Sequence, residues 1–342
     1  MSALLQSGAV GWGVIGCGWV ARDHAIPAIL TAPSAHLVAV CDPNAEALSQ
    51  APEGAQRHKD LPAMLADPAV EAVYIATPNH LHTEQTIAAA KAGKAILCEK
   101  PMATTVAEAE RMVAATESAG ILYATAYDQR HHAAHRRLGE LIAEGRLGRL
   151  TQIRLHYACW LPPGWSGDNW RVDPARAGGG AAIDLAPHGI DLISHLLGEE
   201  PCQLRATLQR AVHSYPVDDG ALLTAEFPSG CLASLHVGYN CPDALPRRRL
   251  ELIGTHAMAL AQNTMGQTAG GTLTLIDAQT GAYEPIPFDT LADPFAEQVE
   301  RFSQAVAGVD DFPFPARRDL ALTALLLEAL DAATPKEASH AA

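Results

Sequence analysis

The sequence predicts an α/β protein. A parallel, doubly wound sheet forms first, and an α+β domain with an open, largely antiparallel sheet follows. Three observations predict this. Short apolar runs alternate with helical segments as far as about residue 125, the pattern of strand–helix–strand crossovers. The first run leads straight into a Gly-x-Gly-x-x-Ala turn over residues 16–21. Beyond residue 130, alternating strand-like segments separated by short turns such as Pro228-Ser229-Gly230 replace that rhythm, as in a meander.

The elements follow in order. Val10–Ile15 is an apolar strand, and residues 22–31 read as a helix with Ile26, Ile29 and Leu30 on one face. Leu37–Cys41 is the second strand and ends at Asp42. Ala72–Ala76 runs into Thr77-Pro78-Asn79-His80, and a helix over 83–92 stops at Gly93. Ala95–Cys98 delivers Glu99-Lys100-Pro101, a helix over 107–119 ends at Gly120, and 121–125 is a further strand. Helix is then expected over 134–144. Strands are expected over 150–158, 203–212, 221–227, 231–239, 249–254, 257–262 and 272–277. Helices over 181–197 and 293–307 are expected to cover one face of this sheet, and 317–332 is a strong terminal helix. The predicted organisation is a dinucleotide-binding domain over 1–126 and a substrate and oligomerisation domain over 127–316. A terminal helix over 317–342 packs back on the first domain.

The glycine-rich turn reads as a phosphate grip. Gly16 permits the tight turn, Gly18 lets a pyrophosphate approach the backbone, and Ala21 keeps helix and strand close. Trp19 and Val20 open a helix whose free N–H groups and positive dipole end face the phosphates. Asp42 follows Ala21 by 21 positions, the place of the carboxylate that binds the adenosine ribose hydroxyls. A carboxylate there repels a 2′-phosphate, so NAD is expected over NADP.

Composition sets the outer limits. A chain of 342 residues, 48% hydrophobic and 18% charged, is long enough for two domains and a large core. A net charge of −14 argues against nucleic acid and anionic membrane surfaces as partners. Arg247-Arg248-Arg249 is one short basic run, read as a solvated turn before a strand. The cysteines, seven in number, form no C-x-x-C pair and several lie in apolar runs, as in a reduced cytoplasmic protein. No signal peptide or membrane-length apolar segment is visible. His131, His132 and His135 have helical spacing, but with no carboxylate support no metal site is expected.

The candidate chemistry lies further along. Gly178-Gly179-Gly180 opens a helix bearing Asp184 and His188 at i and i+4, which project from one face. His188 can act as general base on a hydroxyl, and Asp184 can hold the imidazole or the substrate. The same spacing is also common in surface ion pairs. A Lys100 ammonium can stabilise a developing alkoxide.

These segments resemble the Gfo/Idh/MocA oxidoreductases (glucose–fructose oxidoreductase, inositol dehydrogenase and relatives). The resemblance rests on residues 16–21 with His24, on 76–82, on Glu99-Lys100-Pro101, and on 178–184 with His188 and Asp191. It implies an N-terminal Rossmann domain, a C-terminal domain with an open sheet, and catalytic roles for Lys100, Asp184 and His188. It also implies cofactor contacts at Thr77, Asn79 and His82, and a place for Glu99 near the nicotinamide ribose. The implied reaction moves hydride between nicotinamide and the hydroxyl carbon of a sugar, cyclitol or glycoside. A non-catalytic NAD- or sugar-sensing regulator and an NAD-dependent glycosidase on the same fold are the competing readings. A homodimer or homotetramer is implied, and Leu204, Leu222 and Leu235 alternate with polar neighbours on the candidate sheet.

On the substrate side, Trp160, Trp165 and Trp170 fall in one Pro-containing loop. It either stacks on a sugar ring or packs as a structural or subunit contact. Arg171 either binds an anionic substrate group or pairs with Asp168 or Asp173. Tyr127, Gln129 and Arg130 follow the last strand of the first domain and are expected near the pocket.

Overall fold

The apolar run Val10–Ile15 (β1) is buried along its whole length, as a central parallel strand must be. Ala35–Cys41 (β2) and Gln56–His58 (β3) lie on one side of it. Ala72–Ile75 (β4), Ala95–Cys98 (β5) and Tyr123–Thr125 (β6) lie on the other. The order is β3-β2-β1-β4-β5-β6 with every pair parallel. Strand order reverses between β1 and β4, so the ends of these two strands open a crevice. β3 is a polar edge strand of three residues with no period to betray it in the sequence.

The computed structural model describes residues 8–162, 164, 169–333 and 336–337. The chain divides into two units, Met1–Ala126 with Phe295–Ala321, and Tyr127–Pro294 with Leu322–Ala342. The second unit is built on Leu150–Ala158 (β7), Gln203–Arg210 (β8), Gly220–Glu226 (β9), Leu232–Gly238 (β10), Arg248–Gly254 (β11), Ala257–Gln262 (β12), Thr272–Asp277 (β13), Tyr283–Pro285 (β14) and Lys336–Glu337 (β15). Their order is β14-β13-β12-β11-β7-β10-β9-β8-β15. Neighbours are antiparallel except β7 with β10 and β8 with β15.

Helix Ala181–Leu197 lies on one face of this sheet, against β7, β9 and β10. Gly189 lets it come close. A Cβ there would stand 2.7 Å from Leu235 Cδ2 and 3.2 Å from Leu155 Cδ1. Leu204 and Leu235 face this covered side and are buried, whereas Leu222 and Leu232 are exposed on the other. Of the three leucines named in the sequence, only Leu222 lies on the uncovered face.

Two expectations about helices need correction. The residue 22–31 segment is not one α-helix. It is a five-residue π-helical turn, Ala21–Ala25, followed by helix Ile26–Thr31. Helix Pro294–Val306 does not cover the antiparallel sheet. Its Phe295, Val299 and Phe302 join the core of the first unit with Trp12. The Trp12 and Phe302 rings lie 5.5 Å apart, and Trp12 Nε1 donates to Ser303 Oγ at 3.0 Å. The spacing of those residues identifies a buried face but not which sheet buries it. Residues 295–321 thus belong with the first unit, which a boundary at 316 does not anticipate.

Candidate active site

In the first unit the carboxyl ends of β1, β2, β4 and β5 carry the residues singled out in the sequence. Gly16 has φ +88°, and a Cβ there would meet Ala76 O and Thr77 Cγ2 at 2.8 Å. Only glycine satisfies both constraints. Around Gly18 the reverse holds, because a Cβ would meet nothing within 4 Å. That open space beside the start of a helical turn is where a pyrophosphate can approach the main chain. Val20 precedes the turn, and Trp19 is partly exposed and edge-on to His24, whose ring stacks on Phe295 at 4.9 Å.

Asp42 is tied into this loop. Its Oδ2 accepts from Cys17 N and its Oδ1 from Asn44 N, both at 2.8 Å. Burial and the Asp42 charge push the Cys17 thiol up to about 12, so it stays protonated. A tight Gly16, an open Gly18 and an acid at the end of β2 fit a dinucleotide.

Four other carried-over residues hold the crevice together. Thr77 Oγ1 donates to Gln85 Oε1 at 2.6 Å, and Asn79 is buried in the first turn after β4. Glu99 Oε1 accepts from the Tyr74 hydroxyl at 2.6 Å. His82 is fully buried, with Nδ1 3.0 Å from Pro101 O and Nε2 3.0 Å from Thr77 O. Burial lowers its pKa. The structure places this ring as a brace between the Thr77 and Pro101 turns. Lys100 sits between Glu99 and Pro101, half-buried, at the end of β5.

The second unit holds Asp184 and His188. A Cβ on Gly180 would stand 2.0 Å from Asp218 O, so glycine is obligatory there. Asp218 accepts from Gly180 N at 2.9 Å and Ala182 N at 2.8 Å. A distant carboxylate therefore caps the helix, an arrangement invisible to local reading. Burial nonetheless raises the Asp218 pKa, against the pull of these N–H groups.

Asp184 Oδ2 accepts from the Tyr239 hydroxyl at 2.7 Å. Burial, then the Asp184 charge, raises the Tyr239 pKa well above the ordinary tyrosine value. His188 is buried, and its Nδ1 stands 3.1 Å from Asp128 Oδ1. The Tyr157 ring packs edge-on to His188 at 5.7 Å. Burial, then the Asp128 charge, raises the Tyr157 pKa. Both phenols therefore stay neutral.

Gln129, expected near the pocket, is engaged within the second unit. It is fully buried, and its Nε2 donates to Asp128 Oδ2 and to Gly266 O, both at 2.7 Å. Its Oε1 accepts from Gly266 N at 3.3 Å. Arg130 is likewise engaged, in a buried ion pair with Asp191, and its guanidinium lies 4.9 Å from the Tyr127 ring centre. His135 bonds Gln129 O and Thr264 Oγ1, and burial drives its pKa down to about 3. His132 accepts from Ala134 N at the start of a helix. These contacts give the histidines structural duties. The Arg171 guanidinium stacks over Trp170 at 4.5 Å, and Asp173 accepts from Ala175 N at 3.0 Å. Trp165 and Asp168 lie outside the described residues.

Sequence reading missed Asp128, Tyr157, Asp218 and Tyr239. Each meets its partner across the fold, and only Asp128 carried a signal, being next to a residue already singled out.

Residues 10–127 match the family model described as oxidoreductase family, NAD-binding Rossmann fold, and 135–260 match the GFO/IDH/MocA C-terminal domain. The chain is 34% identical over 308 residues to 1,5-anhydro-D-fructose reductase of Ensifer adhaerens, covering 88% of this chain and 91% of that protein. It is 26% identical to myo-inositol 2-dehydrogenase of Thermotoga maritima, covering 86% and 87%. The fold matches levoglucosan dehydrogenase in complex with NADH and levoglucosan with a TM-score of 0.84 at 24% identity, covering 94% and 96% of the two chains. With both family models matched in order on one chain, the protein belongs to the Gfo/Idh/MocA family of oxidoreductases.

Proposed function

We propose that the protein is an NAD-dependent dehydrogenase or reductase acting on a hydroxyl-bearing carbon of a sugar, cyclitol or glycoside. The observation that carries this reading is a buried imidazole, His188, on the helix that also bears Asp184, with the Asp128 carboxylate facing it. A sensor on this fold needs no such acid–base set. Gly16, Gly18, Trp19, Val20, Asp42, Thr77 and Glu99 would hold the dinucleotide, with Asp42 on the adenosine ribose. When bound, the nicotinamide ring supplies or accepts hydride.

The chain's own residues handle the proton and the charge. His188 takes the proton of the substrate hydroxyl during oxidation and returns it during reduction. Asp184, steadied by Tyr239, accepts hydrogen bonds from the substrate and fixes its orientation. The Lys100 ammonium stabilises the oxyanion that develops as hydride leaves. The sheet face bearing Leu222 and Leu232 would bury itself against a second copy in a homodimer or homotetramer.

The test is a panel of polyols, inositols, aldoses, anhydro sugars and glycosides with NAD and with NADP, followed by absorbance of the reduced nicotinamide. Net reduction of NAD by a free polyol or sugar supports the reading. Glycoside cleavage without net NAD turnover, or no reaction with any substrate class in either direction, contradicts it.

A further inference from the structure

We propose that Asp128 is the positioning residue of His188. It holds the imidazole as the Nδ1–H tautomer, leaves Nε2 to accept the substrate proton, and stabilises the imidazolium that results. The proposal rests on the reading of His188 as the base.

The Gly266 main chain offers one donor and one acceptor to the Gln129 amide. That pairing fixes which way round the amide sits. Nε2 faces Gly266 O, Oε1 faces Gly266 N, and the second hydrogen on Nε2 goes to Asp128 Oδ2 at 2.7 Å. Asp128 must therefore offer an acceptor at Oδ2. Its other oxygen, Oδ1, stands 3.1 Å from His188 Nδ1. The two atoms are in ion-pair contact without the alignment of a hydrogen bond, and a lone pair on Nδ1 would face a carboxylate oxygen at this distance, so the hydrogen belongs on Nδ1. Nε2 is then the nitrogen with the free lone pair.

The chain from Gly266 through Gln129 and Asp128 to His188 is nearly dry, with Asp128 1%, Gln129 0% and His188 3% exposed. In such surroundings one carboxylate charge acts strongly on an imidazolium. Among the described residues, the other groups around the ring are unsuited to this task. Tyr157 on β7 is neutral, and Arg248, its register partner on β11, is cationic. On the helix of His188 itself, Asp184 is bonded by Tyr239, and Asp191 is paired with Arg130. His132 and His135 are held towards the neutral form by burial, although the Asp128 charge pulls them the other way.

The test replaces Asp128 with asparagine in the full-length protein. Gln129 demands an acceptor, so the new carbonyl faces Gln129 and the new NH₂ faces His188 Nδ1. That forces the Nε2–H tautomer and removes the base. Histidine-selective ¹⁵N NMR reads the tautomer directly, with His188→Gln assigning the resonance. The expected result is Nδ1–H in the wild type and Nε2–H in Asp128→Asn. With whichever panel substrate turns over, kcat should fall about 10³-fold in Asp128→Asn while KM for NAD changes little. An Nε2–H tautomer in the wild type overturns the proposal even if the variant does not fold, and so does an unchanged tautomer in the variant. A tautomer that flips while both Asp128→Asn and His188→Gln keep full kcat overturns the base assignment, and the proposal with it. The spectrum thus reports on Asp128 and the turnover on His188.

Discussion

Arg130 Nε donates to Asp191 Oδ2 at 2.6 Å in an ion pair whose side chains are each 1% exposed. The pair ties the turn that carries Asp128 to the helix that carries His188. Removing one partner strips a buried charge of its counter-ion, which costs far more than removing both. Arg130→Met should destabilise the second unit by about 3–5 kcal/mol. Arg130→Met with Asp191→Leu should recover most of that. Urea unfolding midpoints of the single and double variants check this, and equal losses in the two would contradict it.

His135 makes stability depend on pH. Its folded pKa, about 3, lies below the ordinary 6.5 because burial disfavours the charged ring. The unfolded chain therefore binds a proton that the folded chain refuses. The stability involved is present above pH 6.5 and drains away as pH falls towards about 3. One such proton is worth about 1.4 kcal/mol per pH unit. His135→Gln should make the fall in unfolding free energy between pH 6.5 and 5 shallower by up to that amount, measured by urea unfolding at several pH values. A slope equal to wild type would contradict the assignment.

The parts of the site legible in the sequence are those built from contiguous chain. The Gly16–Ala21 turn, the Lys100 strand end and the i, i+4 pair Asp184 and His188 are all local patterns, and local patterns survive without knowledge of the fold. What was not legible arises where distant segments meet. Asp218 reaches the helix at Gly180, Tyr239 reaches Asp184, and Asp128 reaches His188. Nothing in their spacing marks them. Helix Pro294–Val306 is the same lesson for the fold, since its apolar stripe fits a sheet from either part of the chain.

Asp42 should set cofactor preference. Its Oδ2 also holds Cys17 N, so its loss removes a ribose acceptor and loosens the loop together. Asp42→Ala should weaken NAD binding by about 1.5–3 kcal/mol and narrow the gap to NADP. Titration of the two cofactors, with kcat/KM for each, checks both effects. A wild type that prefers NADP would contradict the ribose assignment.

The uncovered face of the second sheet exposes Leu222 at 49% and Leu232 at 55%. Burial of such positions favours self-association. Light scattering at micromolar concentration should find a dimer or tetramer, and Leu222→Arg with Leu232→Arg should lower the mass. A monomeric wild type would contradict this assembly.

Lys100 and His188 are proposed to act in the reaction rather than in holding NAD. The most direct measurement is kcat together with the NAD dissociation constant for Lys100→Ala and His188→Ala. Each variant should lose about 10²-fold or more in kcat, in line with losing a charged oxyanion partner or a general base, while NAD affinity changes little. Near-normal kcat with collapsed NAD affinity in Lys100→Ala would make the lysine a cofactor ligand, and normal turnover in both variants would place the chemistry elsewhere.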